Sequence, residues 1–551
     1  MKRTTWIFLA ALAAGTFFYV SFLFNFATTL TDWSGFGSSA TLQLFHNFLH
    51  GRAYQSSLCA SPGTGESVGF IANPHAFIHY DVIHIHRTAY LFAWFWALRP
   101  TPATLYGLIF AWNLLGGAWF TVSILRRGAS RQWRDRAGLA GAVLAFGGLL
   151  SVACQMAQPL LFTGPLMLAV YDAFLARRRL LFLFWIAALA LVSEDAAMVA
   201  VCFGAYLFLF EEEGRPYGVA AAALAIPYLL LLLFLIQPAA RAELTTTASS
   251  TAAFISKFLF SLNFNALIEN LHSMMPIAPF VPAFLLAGAC FGVPGRKDLW
   301  KVLGLALLPA FPHWGECVVV GSAHHLITPW FGLYLALLYW LRQERVLSER
   351  PARWTLVWAA AFFAISLRVS AGHLPMAVKP WLYRRVGKTA KAELLERSLA
   401  GGESSNRAVI AAARALAPDR SLVFLTNCGV VGYIVSRSDV WSFPDYFDRA
   451  DVLLIQKDAA DAGFVFEPKP GVVLKELLAR TPPGSARGRA VTPGMVQAIW
   501  DALVGGGTHR VLGENEHVLL LERKERRPFE NPPTTYGWGW LRNVGRRPAR
   551  A

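Results

Sequence analysis

Eleven long, nearly uncharged apolar runs set the limits on this chain: 5–27, 103–125, 137–154, 158–176, 180–193, 195–210, 217–237, 278–294, 299–313, 325–341 and 354–368. Hydrocarbon about 30 Å thick takes roughly 20 apolar helical residues to cross. The runs therefore predict an α-helical polytopic membrane protein of about 11 transmembrane helices. Composition agrees, because only 15% of the 551 residues are charged and 55% are hydrophobic, against about 25% charged in a typical soluble chain. Such a chain is excluded from the disordered, collagenous and disulfide-scaffold classes.

The net charge of +16 raises the question of nucleic acid, but in a membrane protein Lys and Arg in short loops first report orientation. With the N-terminus inside, the cytoplasmic loops carry 18 Lys and Arg, among them Arg126, Arg127, Arg177 to Arg179, Arg215, Lys301 and Arg342. The opposite loops, leaving out the long C-terminal tail, carry 5: Arg52, Arg87, Arg99, Arg241 and Lys257. This bias predicts a multi-pass membrane protein with loop 28–102, loop 238–277 and everything beyond 368 on the exoplasmic face. It also accounts for most of the charge excess, so nucleic acid is not an expected partner and the lipid bilayer is. The first run, after Met1-Lys2-Arg3, is read as a retained helix because its apolar stretch exceeds a signal peptide's and no cleavage site precedes Thr28.

Runs 180–193 and 195–210 are each short for a full span. They read as a hairpin with Glu194-Asp195 at its tip, the alternative being one helix interrupted by the two acids. The hairpin keeps Arg177 to Arg179 and Arg215 on one side and leaves no carboxylate at mid-bilayer. In the first loop, 38–50 places Leu42, Phe45 and Leu49 on one face after a serine cap, as an interfacial helix would. Residues 89–98 are apolar but only half a span long, and Arg99-Pro100 stops them. Residues 251–271 form a second interfacial stretch. Such helices would line a lateral entrance for a lipid-borne substrate, or simply cover the bundle.

Beyond 368 the apolar runs give way to charged residues and turns. Residues 369–530 predict an exoplasmic α/β domain: a helix capped by Ser405 or Asn406 and running through Leu416, strands at 421–426 and 451–456, a helix from Pro493 to Leu503, and a hairpin over 509–523. Residues 531–551 form a basic tail read as disordered. Of the cysteines, Cys59, Cys317 and Cys428 face an oxidising compartment, where one disulfide can form, Cys59 with Cys317 being one such pairing. No phosphate loop, dinucleotide glycine pattern or zinc spacing occurs.

Ionisable groups at a membrane boundary are the informative ones, since burying them is costly. Glu194-Asp195 comes first and Asp32 second, followed by His75, His79, Asp81, His84, His86 and Arg87, then His324-His325. Each has a structural alternative as a helix cap, a salt bridge or a satisfied core histidine. Converging on one face, such carboxylates suit deprotonation of an acceptor hydroxyl or the holding of a divalent cation against a phosphate.

Five stretches together resemble a known family: Phe36 through Gln43 to His50-Gly51, the segment from His84 to Pro100, Glu194-Asp195 with Gly204 downstream, His324-His325 to Pro329, and SLVFLT with SRSDVWSFP in the tail. Over roughly 20–525 they resemble bacterial domain-of-unknown-function family 2079, itself similar to the GT-C superfamily of polytopic glycosyltransferases. The resemblance implies a GT-C-like transmembrane domain over 1–368, a polyprenyl-phosphate sugar donor, a cell-envelope glycan, lipid or protein acceptor, and an essential acid in the first exoplasmic loop. It implies Asp32, Glu194 and Asp195 as catalytic, with Asp32 and Glu194 as ligands of any metal, and His84, His86, Arg87, His324 and His325 as substrate contacts. Two positions depart from the family pattern. Gly37 stands where an Asp is expected, leaving Asp32 as the loop's acid, and Ser193 stands where a Lys is expected. A transporter or flippase of lipid-linked or small polar substrates, or an inactive membrane scaffold, are the alternatives.

Overall fold

The structure is a computed structural model. It describes residues 36–51, 55–56, 78–79, 87–88, 90–128, 133–146, 159–236, 296–313 and 327–342, and in the tail 379–385, 403–419, 424–426, 440–442, 450–456, 500–515 and 518–525, with a few single positions between. Apolar runs 5–27, 278–294 and 354–368, stretch 251–271, tail 531–551, Cys59, Cys317 and Cys428 lie outside the described residues.

Most described residues are helical. Helices lie in the described parts of runs 103–125, 137–154, 158–176, 180–193, 195–210, 217–237, 299–313 and 325–341. Two of the described helices, Thr104–Arg126 and Glu212–Ile236, are long and apolar enough to cross a membrane. The others are shorter, and a helix of 12 residues such as Arg179–Ala190 rises only about 18 Å.

The helix Ile327–Arg342 is buried from Ile327 to Leu341 and packs against Gly117–Arg126, Trp133–Phe146, Thr163–Leu175 and Arg296–Leu307. Gly164 lets the Phe331 ring lie directly against the helix Thr163–Leu175. Gly332 brings the helix Arg296–Leu307 equally close, since a Cβ there would lie 2.6 Å from the Ala306 carbonyl oxygen. Tyr334 donates its hydroxyl to the Ala140 carbonyl at 3.0 Å and lies 2.9 Å from the Thr121 hydroxyl, joining three helices through one buried phenol. Bonds of this kind satisfy polar groups that would be costly to leave unpaired in an apolar interior.

The helix Thr104–Arg126 carries a π-turn at Trp112–Gly116. The π-turn directs the Asn113 amide nitrogen to two carbonyls, Ile109 at 2.8 Å and Leu161 at 2.9 Å, and the Trp112 indole nitrogen to Phe162 at 2.9 Å. This long helix is thereby pinned to the start of Thr163–Leu175.

The acid-bearing pair resolves into a hairpin. The helix Arg179–Ala190 ends, Leu191 to Ser193 turn, and Glu194–Phe210 begins. The latter meets the helix Arg215–Leu231 backbone to backbone: a Cβ on Gly218 would lie 2.5 Å from the Gly204 carbonyl, and one on Gly204 would lie 2.9 Å from the Ala221 methyl. Small residues at such a crossing permit close packing where lipid and protein are equally apolar.

One end of the bundle gathers the charges. Arg127 pairs with Asp172 at 2.8 Å, Lys301 with Glu211 at 2.8 Å and Arg177 with Glu213 at 2.6 Å. Tyr206 donates to Glu211 at 3.0 Å and Tyr339 to Asp298 at 3.3 Å. Arg177 is left-handed, with φ of 55°. It sits at the position after a helix end where glycine is the usual choice. Its own N–H meets the Phe174 carbonyl at 2.9 Å, and that of Arg178 meets Ala173 at 3.1 Å.

In the tail, a five-stranded mixed sheet has the order β4-β3-β5-β7-β6, with β3 at Phe424–Thr426, β4 at Val440–Ser442, β5 at Val452–Gln456, β6 at His509–Glu514 and β7 at Val518–Arg523. β3 runs parallel to β4 and β5, while β7 is antiparallel to β5 and β6. The β6–β7 turn is closed by Asn515, whose side-chain oxygen accepts from the Val518 N–H at 2.7 Å. The helix packed on this sheet spans Glu403–Leu416, so Ser405 and Asn406 lie within it rather than capping it.

Candidate functional site

Ser193 is extended (φ −161°) and its hydroxyl oxygen accepts from the Ala196 N–H at 3.1 Å. A serine at this position satisfies one of the N–H groups that every helix start leaves open. A lysine has no acceptor to offer there, so the residue that departs from the family pattern is the one that fixes this helix start. The capping task falls to Ser193 rather than to either acid. Glu194 and Asp195 then occupy the first two helical positions, 8% and 9% exposed, where the helix dipole favours a carboxylate.

The first loop reaches this turn directly. The backbone N–H groups of Arg87 and Thr88 both donate to the Leu191 carbonyl, at 3.0 and 2.9 Å. The Thr88 hydroxyl donates to the Ala188 carbonyl at 3.0 Å. Those carbonyls belong to a helix C-terminus, where the last turn lacks intrahelical partners. The half-buried Arg87 is thus held within three residues of Glu194 on the partner segment, and two parts of the chain about a hundred positions apart share one place.

Two residues after Thr88 begins the helix Tyr90–Ala97, ended at Arg99-Pro100 as its sequence predicts. It buries Tyr90, Ala93 and Trp96 and exposes Leu91, Trp94, Phe95 and Leu98. Its buried side stacks on the helix Phe36–Leu49: Phe48 on Tyr90 at 4.8 Å and Phe45 against Trp96 at 6.2 Å between ring centroids. Phe92 stacks on Phe162 at 3.8 Å, which ties this helix to the π-turn region.

The helix Phe36–Leu49 corrects the sequence reading. An interfacial helix exposes one face, yet here every residue from Thr41 to Asn47 is buried. Ser38 and Ser39 lie inside the helix rather than capping it. Beside the expected Leu42 and Phe45, a polar row runs through Gln43, His46 and Asn47, all buried. It continues to His50, whose ring nitrogen donates to the His46 carbonyl at 2.7 Å and whose ring lies 4.1 Å from that of His46. Gln43 and His50 belong to the stretch that carries the resemblance, but His46 and Asn47 were not singled out. The signal was present in the spacing 43, 46, 47, 50, which is one helical face. Gly37 falls in the first turn of this helix.

Asp32, His84, His86, His324 and His325 lie outside the described residues, as do His75 and Asp81, while His79 pairs in the short β2 strand Ile78–His79 with β1, Gln55–Ser56. Among the described residues no group of three or more His, Cys, Asp or Glu is arranged to hold a metal ion. Glu194 and Asp195 are hard oxygen donors of the kind divalent cations take, but neighbours on a helix project about 100° apart.

No family model, no curated protein and no solved structure matches this chain.

Proposed function

We propose that the chain is a multi-pass membrane glycosyltransferase of GT-C-like architecture, working at the exoplasmic face of a bacterial inner membrane. It moves a sugar from a polyprenyl-phosphate-linked donor to a cell-envelope acceptor. The observation that carries the reading is the anchoring of Arg87 and Thr88 on Leu191, which joins the first loop to the turn bearing Glu194 and Asp195. Both segments belong to the face that the Lys and Arg distribution makes exoplasmic. The gathering of Arg127, Arg177, Lys301 and their partners at one end of the bundle supports the same orientation. The tail sheet fits an exoplasmic domain over 369–530.

In this reading the acceptor hydroxyl gives its proton to a carboxylate, Asp32 being the base and Glu194 and Asp195 orienting the acceptor. The acceptor oxygen bonds to the anomeric carbon as that carbon's bond to the carrier phosphate breaks, and the phosphate leaves with the electron pair. Arg87, with His84, His86, His324 and His325, faces the charge that grows on the phosphate, and a guanidinium is suited to that task. No step needs a cation, so divalent metal stays an auxiliary expectation.

The test is a deletion strain complemented with Asp32→Asn, Glu194→Gln with Asp195→Asn, or Arg87→Gln, with envelope glycans and lipid-linked sugars read by mass spectrometry. Loss of one glycan with accumulation of its lipid-linked precursor is expected for the carboxylate variants. Full transfer by both carboxylate variants would sink the assignment. Accumulation of the precursor on the cytoplasmic side alone would favour a flippase.

A further inference from the structure

The charged end of the bundle holds a feature that sugar transfer does not use. Trp133 opens the helix Trp133–Phe146, and two guanidinium groups lie over its ring, Arg126 at 5.6 Å and Arg134 at 5.5 Å from the centroid. Each such contact is attractive, but the two cations are thereby held within about 11 Å of each other, close to one Debye length, where like charges still repel. No carboxylate among the described residues pairs with Arg126, Arg134 or Arg179. By contrast Arg127, next along the chain, is neutralised by Asp172. That bridge fastens the loop one turn before the left-handed Arg177 and its neighbours Arg178 and Arg179, all exposed.

Away from these arginines the surface turns apolar at once. The helices Gly117–Arg126 and Arg179–Ala190 meet through the rings of Phe120 and Trp185, 5.7 Å apart. Trp119 and Val122 are exposed on the first helix, and Leu180 and Phe184 on the second. Arg126 and Arg179 each stand six residues from that ring contact, which is about 9 Å along either helix. With Arg127 bridged to Asp172 five residues before Arg177, both arginines belong to the charged end, with exposed aromatic and aliphatic side chains on the same two helices.

We propose that this is a binding site for an anionic phospholipid of the cytoplasmic leaflet. Arg126, Arg134 and Arg179 hold its phosphate, and its acyl chains lie between Trp119 and Phe184. Charge complementarity selects the occupant: basic residues at a groove between spans recognise anionic headgroups, and arginine forks match phosphate oxygens. The site rests on the membrane reading given above but not on the glycosyltransferase reading, since it lies at the opposite end of the bundle from Glu194.

The experiment uses the full chain reconstituted in nanodiscs of phosphatidylcholine with phosphatidylglycerol, followed by native mass spectrometry of retained lipid. The wild type should keep phosphatidylglycerol over phosphatidylcholine. Arg126→Gln with Arg134→Gln should lower that preference about fivefold per arginine removed, from roughly 1 kcal/mol per basic residue near a charged surface. Trp133→Leu should lower it in part. Arg215→Gln, an exposed arginine at the start of another helix at the same end, should leave it unchanged. A loss as large in Arg215→Gln, or equal retention of the two lipids by an embedded wild type, overturns the site alone. A wild type released from membranes by alkaline extraction overturns the membrane reading and the site together.

Discussion

The two long apolar helices look alike in sequence and differ in what surrounds them. Half of the apolar window in Thr104–Arg126 is buried inside the protein, against 17% of that in Glu212–Ile236. The first is held by directional bonds from Asn113 and Trp112 and by Thr121 against Tyr334. The second is held along one narrow face by glycine and alanine, and shows Val219, Ile226, Leu230 and Phe234 to its surroundings. Hydropathy reports that a segment avoids water. It does not report whether protein or lipid takes water's place.

The sharpest way to break this contrast is Gly218→Leu. The added side chain would have to pass through the Gly204 carbonyl, and an overpacked site that cannot yield costs about 3 kcal/mol or more. The variant should lose its monodisperse peak in detergent, whereas Gly51→Leu, where nothing lies within 4 Å but φ is 76°, should keep it. Next in size is Ile226→Asp on the exposed face of the second helix. In water such a change is nearly neutral, but at a bilayer centre it costs about 2.5–3.5 kcal/mol. Reduced resistance to alkaline extraction is expected, and unchanged extraction would mean that this face does not meet lipid. Asn113→Leu comes third. It removes two bonds and leaves the Leu161 carbonyl unpaired, about 2 kcal/mol, so Tm should fall in detergent and bilayer alike. The smallest effect is a gain: Arg177→Gly relieves a left-handed side chain worth about 1–2 kcal/mol against a surface bridge worth at most about 1. A small rise in Tm is expected, and a fall would assign the Arg177–Glu213 pair more weight than exposed pairs usually carry.

Local signals were legible. The hairpin at 191–193 follows from keeping Arg177 to Arg179 and Arg215 on one side and the two acids out of mid-bilayer, while the cap that Ser193 supplies was in the sequence but read only as a departure from a family pattern. Half-span length and Arg99-Pro100 delimit Tyr90–Ala97, and Asn515 marks the β6–β7 turn. Three things were not legible for physical reasons. The π-turn at Trp112–Gly116 leaves the hydropathy of its helix unchanged. The anchoring of Arg87 and Thr88 on Leu191 uses backbone atoms, which every residue has, so no side-chain pattern announces it. The helix Phe36–Leu49 shows an apolar face in sequence, but whether its Gln43 and Asn47 side meets solvent or protein depends on what packs there. The acid-bearing turn was therefore readable as an element, while its meeting with the first loop was not.

The glycine contact between Glu194–Phe210 and Arg215–Leu231 has a mechanical consequence. Two helices touching backbone to backbone resist sliding or rolling on each other, so a tilt of one would be shared by the other. The acids sit at one tip of the pair, and the Glu211 carboxylate, gripped by Lys301 and Tyr206, sits about 25 Å away at the other. A tilt of a few degrees at the gripped tip carries the acids through more than an ångström, enough to make or break a hydrogen bond.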